Sequence, residues 1–278
     1  MHKLPRQPLI FTDLDGTLLD HDDYSIDAVK PWLQKLNKAG VSVIPTTSKT
    51  AAELHHLMPK LGLTTPFIVE NGAAVYLPKA LFQQAPPQTQ PDGDYWVKSF
   101  TLPRAHWLFY IEQAKAEFGP IFIPMGEMLL EQLIALTGLS FDEAQQAQQR
   151  QYGEPIQWLG SEVQQQAFIE FIQNHGASVL KGGRFLHVGG GAQKATAMQW
   201  LIMMYQQIQP HKDWYSIALG DSDNDISMLE SADYAVRIRS KHHPLPDLKR
   251  QERVLSSHQY GPSGWVECIQ QLLAGHVT

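Results

Sequence analysis

A short apolar run near the N-terminus, Pro8-Leu9-Ile10-Phe11-Thr12, ends abruptly in Asp13-Leu14-Asp15-Gly16-Thr17. The run reads as a strand over 9–12 that delivers two carboxylates at its C-terminal end. Residues two apart in an extended strand point to the same side, so Asp13 and Asp15 crowd one site with like charge. Such crowding raises the pKa of one member. A carboxyl that keeps its proton can then act as a general acid. Gly16 tolerates positive φ and lets the chain turn sharply after the pair. The plain alternative is an ordinary acidic turn after a strand.

The same texture continues through the first 80 or so residues. A helix is expected over 25–39, stopped by Gly40, then a strand over 41–45. Thr50-Ala-Ala-Glu53 has the pattern of a capping box that opens a helix to about Leu61. Phe67-Ile-Val69 reads as a third strand. Beyond Gly189 the alternation resumes, with a helix over 192–207, a strand over 215–219, a short helix over 223–231, a strand over 234–238 and a helix over 263–274. Short apolar strands separated by helices imply βαβ units and a parallel sheet.

The middle differs. Residues 83–94 are rich in Pro and Gln and read as a linker or long loop. A strand over 95–102 and a helix over 103–118 follow. Next come two helical segments, the second opened by the capping-box candidate Ser140-Phe-Asp-Glu143. A strand over 156–159, a helix over 161–175 and a hairpin over 177–188 turning at Gly182-Gly183 complete it. The expected organisation is an α/β parallel-sheet core from 1–83 and 188–278, with an α+β insert over 84–187.

Bulk properties narrow the class. The net charge of −6, with no basic stripe, argues against a nucleic-acid partner. The lone cysteine, Cys268, excludes an intramolecular disulfide and fits a reducing compartment. The first residues lack an apolar signal core, and no stretch approaches the roughly 18 apolar residues of a membrane span. A cytoplasmic protein acting on a small molecule, without a membrane or nucleic-acid partner, is expected; oligomeric state is not encoded in any pattern found.

If Asp13 serves an open α/β sheet, its partners belong at the C-terminal ends of neighbouring strands. The second strand ends in Thr46-Thr47-Ser48-Lys49, where a hydroxyl and free amides before a helix suit a phosphoryl oxygen, or simply cap the helix. The third ends in Glu70-Asn71-Gly72, a hairpin turn that also lets Asn71 face the site. Lys194 follows Gly189-Gly-Gly-Ala-Gln193 and opens a helix, where it can neutralise phosphate as a point charge or lie on the surface. The strand over 215–219 ends in Gly220-Asp221-Ser-Asp223-Asn224-Asp225, three carboxylates that read as a metal site. An EF-hand loop is excluded, because Ile226 stands where glycine is needed and Ala232 where the bidentate glutamate belongs. Asp221 is the best direct ligand for Mg²⁺, with Asn224 and Asp225 orienting ligands or metal-bound waters. His55-His56 and His242-His243 read as surface residues. Trp96, Trp107 and Trp158 read as core rather than as stacking platforms for a ring.

Taken in order, Asp13-x-Asp15-Gly-Thr17, Thr47 with Lys49, Lys194, and Gly220-Asp221-x-x-Asn224-Asp225 resemble the haloacid dehalogenase (HAD) superfamily of phosphatases. The middle insert resembles the C2-type cap of its Cof-like branch. Finer features, Thr46-Thr-Ser-Lys-Thr50, Phe67-Ile-Val-Glu-Asn-Gly72, Gly183-Arg-Phe-Leu-His187 and Gly261-Pro-Ser-Gly-Trp265, resemble the mannosyl-3-phosphoglycerate phosphatase family. Ala195 stands where relatives often carry glycine, and the glutamine-rich insert shows no recognisable sugar-binding motif.

The resemblance implies a Rossmann-like HAD core with an inserted cap that sets specificity. It implies an Mg²⁺-dependent phosphatase in which Asp13 attacks phosphorus and Asp15 serves as acid and base. The cation is then held by the Asp13 side chain, the Asp15 carbonyl and Asp221. Thr47, Ser48 through its backbone, and Lys194 hold the phosphoryl oxygens, with Asn71 nearby. Lys49, Arg184 and His187 are candidates for the rest of the substrate, since arginine binds a carboxylate in a bidentate way. The expected substrate is mannosyl-3-phosphoglycerate. A broader sugar-phosphate phosphatase or a phosphomutase shares these residues, whereas a non-catalytic phosphosugar-binding protein has no need of a paired acid and nucleophile.

Overall fold

The computed structural model describes residues 6–181 and 184–273. The expected turn at Gly182-Gly183 and the end of the last helix at Ala274 lie outside the described residues.

The chain opens with β1 (Arg6–Thr12), α1 (Lys30–Lys38), β2 (Ser42–Pro45), α2 (Ala51–Leu61), β3 (Phe67–Val69) and β4 (Ala74–Pro78), followed by the hairpin β5 (Gln90–Asp92) and β6 (Tyr95–Ser99). The middle holds α3 (Arg104–Phe118), β7 (Phe122–Pro124), α4 (Leu130–Thr137), α5 (Phe141–Ala147), β8 (Glu154–Trp158), α6 (Glu162–Asn174), β9 (Ser178–Lys181) and β10 (Leu186–Gly189). The last third adds α7 (Lys194–Ile208), β11 (Asp213–Gly220), α8 (Ile226–Ser231), β12 (Tyr234–Arg239), β13 (Val254–Tyr260) and α9 (Gly261–Leu273). Two compact units result: Lys49–His55 with Ser99–Ala192 form one, and the rest of the described chain forms the other.

The larger unit is organised by a five-stranded sheet in the order β13-β12-β11-β1-β2. Every pairing in it is parallel. Leu9, Ile10, Phe11 and Thr12 of β1 and Ile217, Ala218 and Leu219 of β11 are all buried, as central parallel strands covered on both faces require. The chain runs from β1 towards β2 on one side and from β11 towards β13 on the other. The boundary between β1 and β11 is therefore the switch point where open α/β sheets build sites. A second sheet, β3-β4-β6-β5, lies beside β2 through a parallel bridge from Thr46 to Ile68. Cys268 is buried on α9, and burial pushes its thiol up to about 12, so it packs as an apolar group.

The smaller unit is α+β. Its antiparallel sheet runs β7-β8-β10-β9. Trp107, Ile111, Phe122, Ile156, Phe168, Ile172, Leu186 and Val188 form its core, with Trp158 packed against it. Trp107 and Trp158 are thus core residues as expected. Trp96 lies on β6 in the larger unit, where its Nε1 donates to the Phe82 carbonyl.

Caps explain the helix starts. Thr50 and Glu53 form the reciprocal box at α2, with the Thr50 amide donating to Glu53 Oε2 at 2.7 Å and the Glu53 amide to Thr50 Oγ1 at 3.1 Å. Ser140 and Glu143 do the same at α5. The helix expected over 25–39 begins only at Lys30. Asp20, Asp23 and Ser25 side chains accept the amides of Asp22, Ser25 and Asp27, holding the chain in turns until Pro31 sets the first helical turn.

Among the described residues, three strands escape the sequence reading. β5 lies inside the expected linker, β7 between two helices, and β13 in a polar stretch.

Candidate active site

The register of the parallel sheet decides what meets at its C-terminal edge. Thr12 pairs with Leu219 on one side and Pro45 on the other. The Asp13 amide still donates to the Leu219 carbonyl at 2.9 Å, and the Thr46 amide to the Thr12 carbonyl at 2.8 Å. Asp13, Thr46 and Gly220-Asp221 therefore leave adjacent strands at one level. Trp265, fully buried on α9, supports this edge through its Nε1, which donates to Thr12 Oγ1 at 3.1 Å.

Lys194 completes the centre. Its ammonium, wholly buried, lies 2.6 Å from Asp13 Oδ1 and 2.7 Å from Asp225 Oδ1. It reaches this position from the first residue of α7 because the Glu70-Asn71-Gly72 turn packs against that helix start. Gly72 has φ of 95°, and a Cβ there would lie 2.3 Å from the Gln193 carbonyl oxygen. Only glycine satisfies both the backbone and the contact.

Asp225 anchors the acidic loop. Its Oδ2 accepts the amides of Asp221 at 3.1 Å and Ser222 at 3.2 Å while Oδ1 faces Lys194. Asp221 Oδ1 accepts from Thr17 Oγ1 at 3.1 Å. Asn224 Nδ2 donates to Asn71 Oδ1 at 3.1 Å, joining two of the expected site residues. Thr47 is buried at the β2 end, where its carbonyl accepts the Asn71 amide at 2.9 Å. Ser48 and Asp15 are half-buried in the same unit.

Carboxyl oxygens of Asp13, Asp221 and Asp225 lie within 4.8 Å of one another, in a buried group that could hold a metal ion. Their charge supports this. Fully ionised, three carboxylates facing one ammonium would leave two negative charges uncompensated in a poorly solvated place. Burial raises the Asp13 pKa well above the usual carboxylate range; Lys194 opposes this, while Asp225 and Asp221 add to it. Burial, then the Asp225 charge, pushes Asp221 up to about 7, against the hydrogen bond from Thr17. Burial would lower the Lys194 pKa, but Asp13 and Asp225 outweigh it and raise it. A divalent cation supplies the missing charge, and the donor set is all oxygen, which suits a hard ion.

The remaining candidates lie in the other unit. Lys49, just before α2, pairs with Glu53 in the first turn of that helix at 3.6 Å. Arg184 is exposed, and its Nη1 donates to the Thr137 carbonyl at 3.4 Å. His187 is half-buried on β10; burial, then the Arg150 charge, lowers its pKa to about 3, so the ring is neutral.

Sequence reasoning missed two partners of Asp221. Thr17 has no assigned role there beyond its place in the Asp13-Leu-Asp15-Gly16-Thr17 motif. His243 reads as a surface residue, yet its Nε2 lies 3.1 Å from Asp221 Oδ2. His55, His56 and His242 are exposed as expected.

A parallel sheet with a buried lysine bridging carboxylates from β1 and from the β11 loop is the framework of a haloacid dehalogenase-like hydrolase. The model of that family matches residues 10–110 and 161–247, and the chain belongs to it. It is a phosphatase of the family: two relatives named glucosyl-3-phosphoglycerate/mannosyl-3-phosphoglycerate phosphatase align over nearly the whole chain. The one from Persephonella marina is 32% identical over 268 residues, covering 95% of this chain and 97% of its own. The one from Methanococcoides burtonii is 34% identical over 271 residues, with coverage of 95% and 97%. The fold is shared with a solved phosphatase of the haloalkanoate superfamily from Bacteroides thetaiotaomicron, at 17% identity, a TM-score of 0.66 and coverage of 97% and 96%.

Proposed function

We propose that this chain hydrolyses the phosphate monoester of mannosyl-3-phosphoglycerate, and accepts the glucosyl compound, through an Asp13 aspartyl-phosphate. The observation that carries the chemistry is the buried Lys194 bridge between Asp13 and Asp225 beside Asp221. The substrate rests on the 32–34% identity to relatives that bear these substrates in their names.

In the proposed reaction one Asp13 oxygen attacks phosphorus in line, and the phosphorus–alkoxide bond breaks. Asp15 gives its proton to the leaving oxygen. It then takes a proton from the water that attacks the phosphoryl group and releases inorganic phosphate, regenerating Asp13. Lys194, the Thr47 hydroxyl and the Ser48 backbone hold the transferring oxygens, with Asn71 alongside. Lys194 keeps Asp13 oriented for attack in the meantime. Asp13, the Asp15 carbonyl and Asp221 would hold Mg²⁺, with Asn224 and Asp225 supporting them. When bound, Mg²⁺ shields the repulsion between the anionic nucleophile and the anionic ester.

The larger unit carries the phosphoryl chemistry, and the smaller unit, Ser99–Ala192 with Lys49–His55, sets the leaving group through Arg184, His187 and Lys49. Among the described residues no helix is long and apolar enough to cross a membrane. The reading includes a cytoplasmic enzyme acting on a small phosphorylated metabolite, without a nucleic-acid or membrane partner; the net charge of −6 and the single free thiol support it. A screen of the purified enzyme with Mg²⁺ against mannosyl- and glucosyl-3-phosphoglycerate and simple hexose phosphates tests the substrate. The highest kcat/KM is expected for the glycosyl-3-phosphoglycerates, and a preference for hexose phosphates would defeat this assignment.

A further inference from the structure

The Asp221 carboxylate is held at both oxygens by residues from opposite ends of the chain. Oδ1 accepts from Thr17, and Oδ2 faces His243 Nε2 at 3.1 Å. The carboxylate is 3% exposed and the imidazole 31%. Oδ2 is also hemmed in by Gly16, where a Cβ would lie 2.6 Å away. We propose that His243 is a positioning residue that fixes the Asp221 carboxylate plane for the divalent cation. The inference rests on the reading of Asp221 as a cation ligand.

The segment that carries the imidazole is itself held in place. His242, its neighbour, lies with Nε2 3.1 Å from Asp22 Oδ1 and stacks on His21 with ring centroids 4.0 Å apart. Arg237 Nη1 donates to the Pro246 carbonyl at 3.3 Å, and the Lys249 amide donates to Glu230 Oε1. Arg250 then caps the end of α8 through the Leu229 and Ala232 carbonyls. The segment from 240 to 250 is thus tethered on both sides of His243.

The chemistry favours a donor at Nε2. The ring's Nδ1 lies 3.2 Å from the Pro244 carbonyl, and a carboxylate is the stronger acceptor, so Nε2 is the nitrogen that donates, towards Asp221. A carboxylate pinned at one oxygen by an N–H and at the other by a hydroxyl cannot rotate without losing both bonds. Outer partners of this kind typically change metal affinity about 10–100-fold when removed.

Mn²⁺ binding, followed by the electron paramagnetic resonance signal of the free ion, tests this without turnover. The wild type is expected to bind and Asp221→Asn to lose binding. His243→Ala is expected to bind Mn²⁺ about tenfold more weakly, with an unchanged melting temperature in the absence of the ion. His243→Gln, whose amide nitrogen can reach Oδ2, should recover most of the loss, and His243→Asn, which is too short, should not. If His243→Ala does not fold, the Gln and Asn pair decides. Wild-type affinity in His243→Ala, or equal affinities in Gln and Asn, overturns the inference while leaving the cation site standing. Failure of the wild type to bind, or wild-type binding by Asp221→Asn, overturns the cation reading instead.

Discussion

Lys194 Nζ sits 2.6 Å from Asp13 Oδ1, with the lysine side chain 0% and the aspartate 8% exposed. Two residues 181 positions apart thus share a buried ion pair whose second arm goes to Asp225. Breaking such a pair by removing one partner strands the others' charge. Lys194→Met is therefore expected to destabilise the cation-free protein by about 3–5 kcal/mol, read from urea unfolding. Saturating Mg²⁺ should return part of that loss, since the ion binds the folded state. Activity should fall on the order of 10²-fold or more, as when a preorganised charge is removed from a site. Unchanged stability would mean that the pair is not formed in solution.

In the proposed reading Asp221 sets the pH behaviour of the cation. Burial and the Asp225 charge raise its pKa to about 7 in the cation-free protein. The folded state then holds a proton that the unfolded state releases, between the ordinary carboxylate range and about 7. Stability of the cation-free protein should therefore fall as pH rises through that window. The cation competes with the same proton, so its affinity should rise over the window and level off above it. Thermal melts with EDTA or Mg²⁺ check both signs: the Mg²⁺-induced rise in Tm should be larger near pH 8 than near pH 5. An equal rise at both would contradict the assignment.

His187 works in the opposite sense. Burial, then Arg150, lowers its pKa to about 3 from an ordinary value of 6.5. The unfolded chain binds a proton that the folded one refuses between those values. The stability tied to the neutral ring is complete above about pH 6.5 and is lost as pH falls towards about 3. His187→Gln should flatten the acid limb of the Tm profile across this range. A variant with the wild-type acid limb would show that the ring is solvated.

Gly72 ties the β3–β4 turn to the start of α7. With φ of 95° and a hypothetical Cβ 2.3 Å from the Gln193 carbonyl oxygen, alanine there must displace the turn or the helix. Gly72→Ala is expected to cost about 1–3 kcal/mol of stability. Because the clash falls next to Lys194, kcat should drop more than KM rises. A change in stability alone, with full kcat, would uncouple this turn from the site.

What could be read in the sequence follows from where the information lies. β1 and β11 were legible because their apolar runs end in carboxylates. The α2 start was legible because Thr50 and Glu53 carry a local hydrogen-bond code. β13 was not, because Ser256-Ser257-His258-Gln259 has no apolar period; its strand state comes from parallel pairing with β12. β5 stayed hidden among prolines and glutamines, and only pairing with β6 makes it a strand. The α1 start was misplaced because side chains of Asp20, Asp23 and Ser25 divert the backbone. In the site, Asp13, Asp221 and Lys194 were found by residue type at strand ends and a helix start. The His243 contact was invisible, since it depends on how a loop after β12 folds back and is tethered, which no local pattern records.

The proposed chemistry turns on Asp13 as the nucleophile, and Asp15→Asn, given p-nitrophenyl phosphate and Mg²⁺, probes that role. This leaving group departs without an acid, so Asp13 should still be phosphorylated, while the water step that needs Asp15 as base should stall. Acid quench, proteolysis and mass spectrometry should then find one hydroxylamine-labile phosphoryl group on the peptide containing Asp13, and none in Asp13→Asn. Full turnover by Asp13→Asn, or a phosphoryl group on any other residue, would rule out Asp13 as the nucleophile.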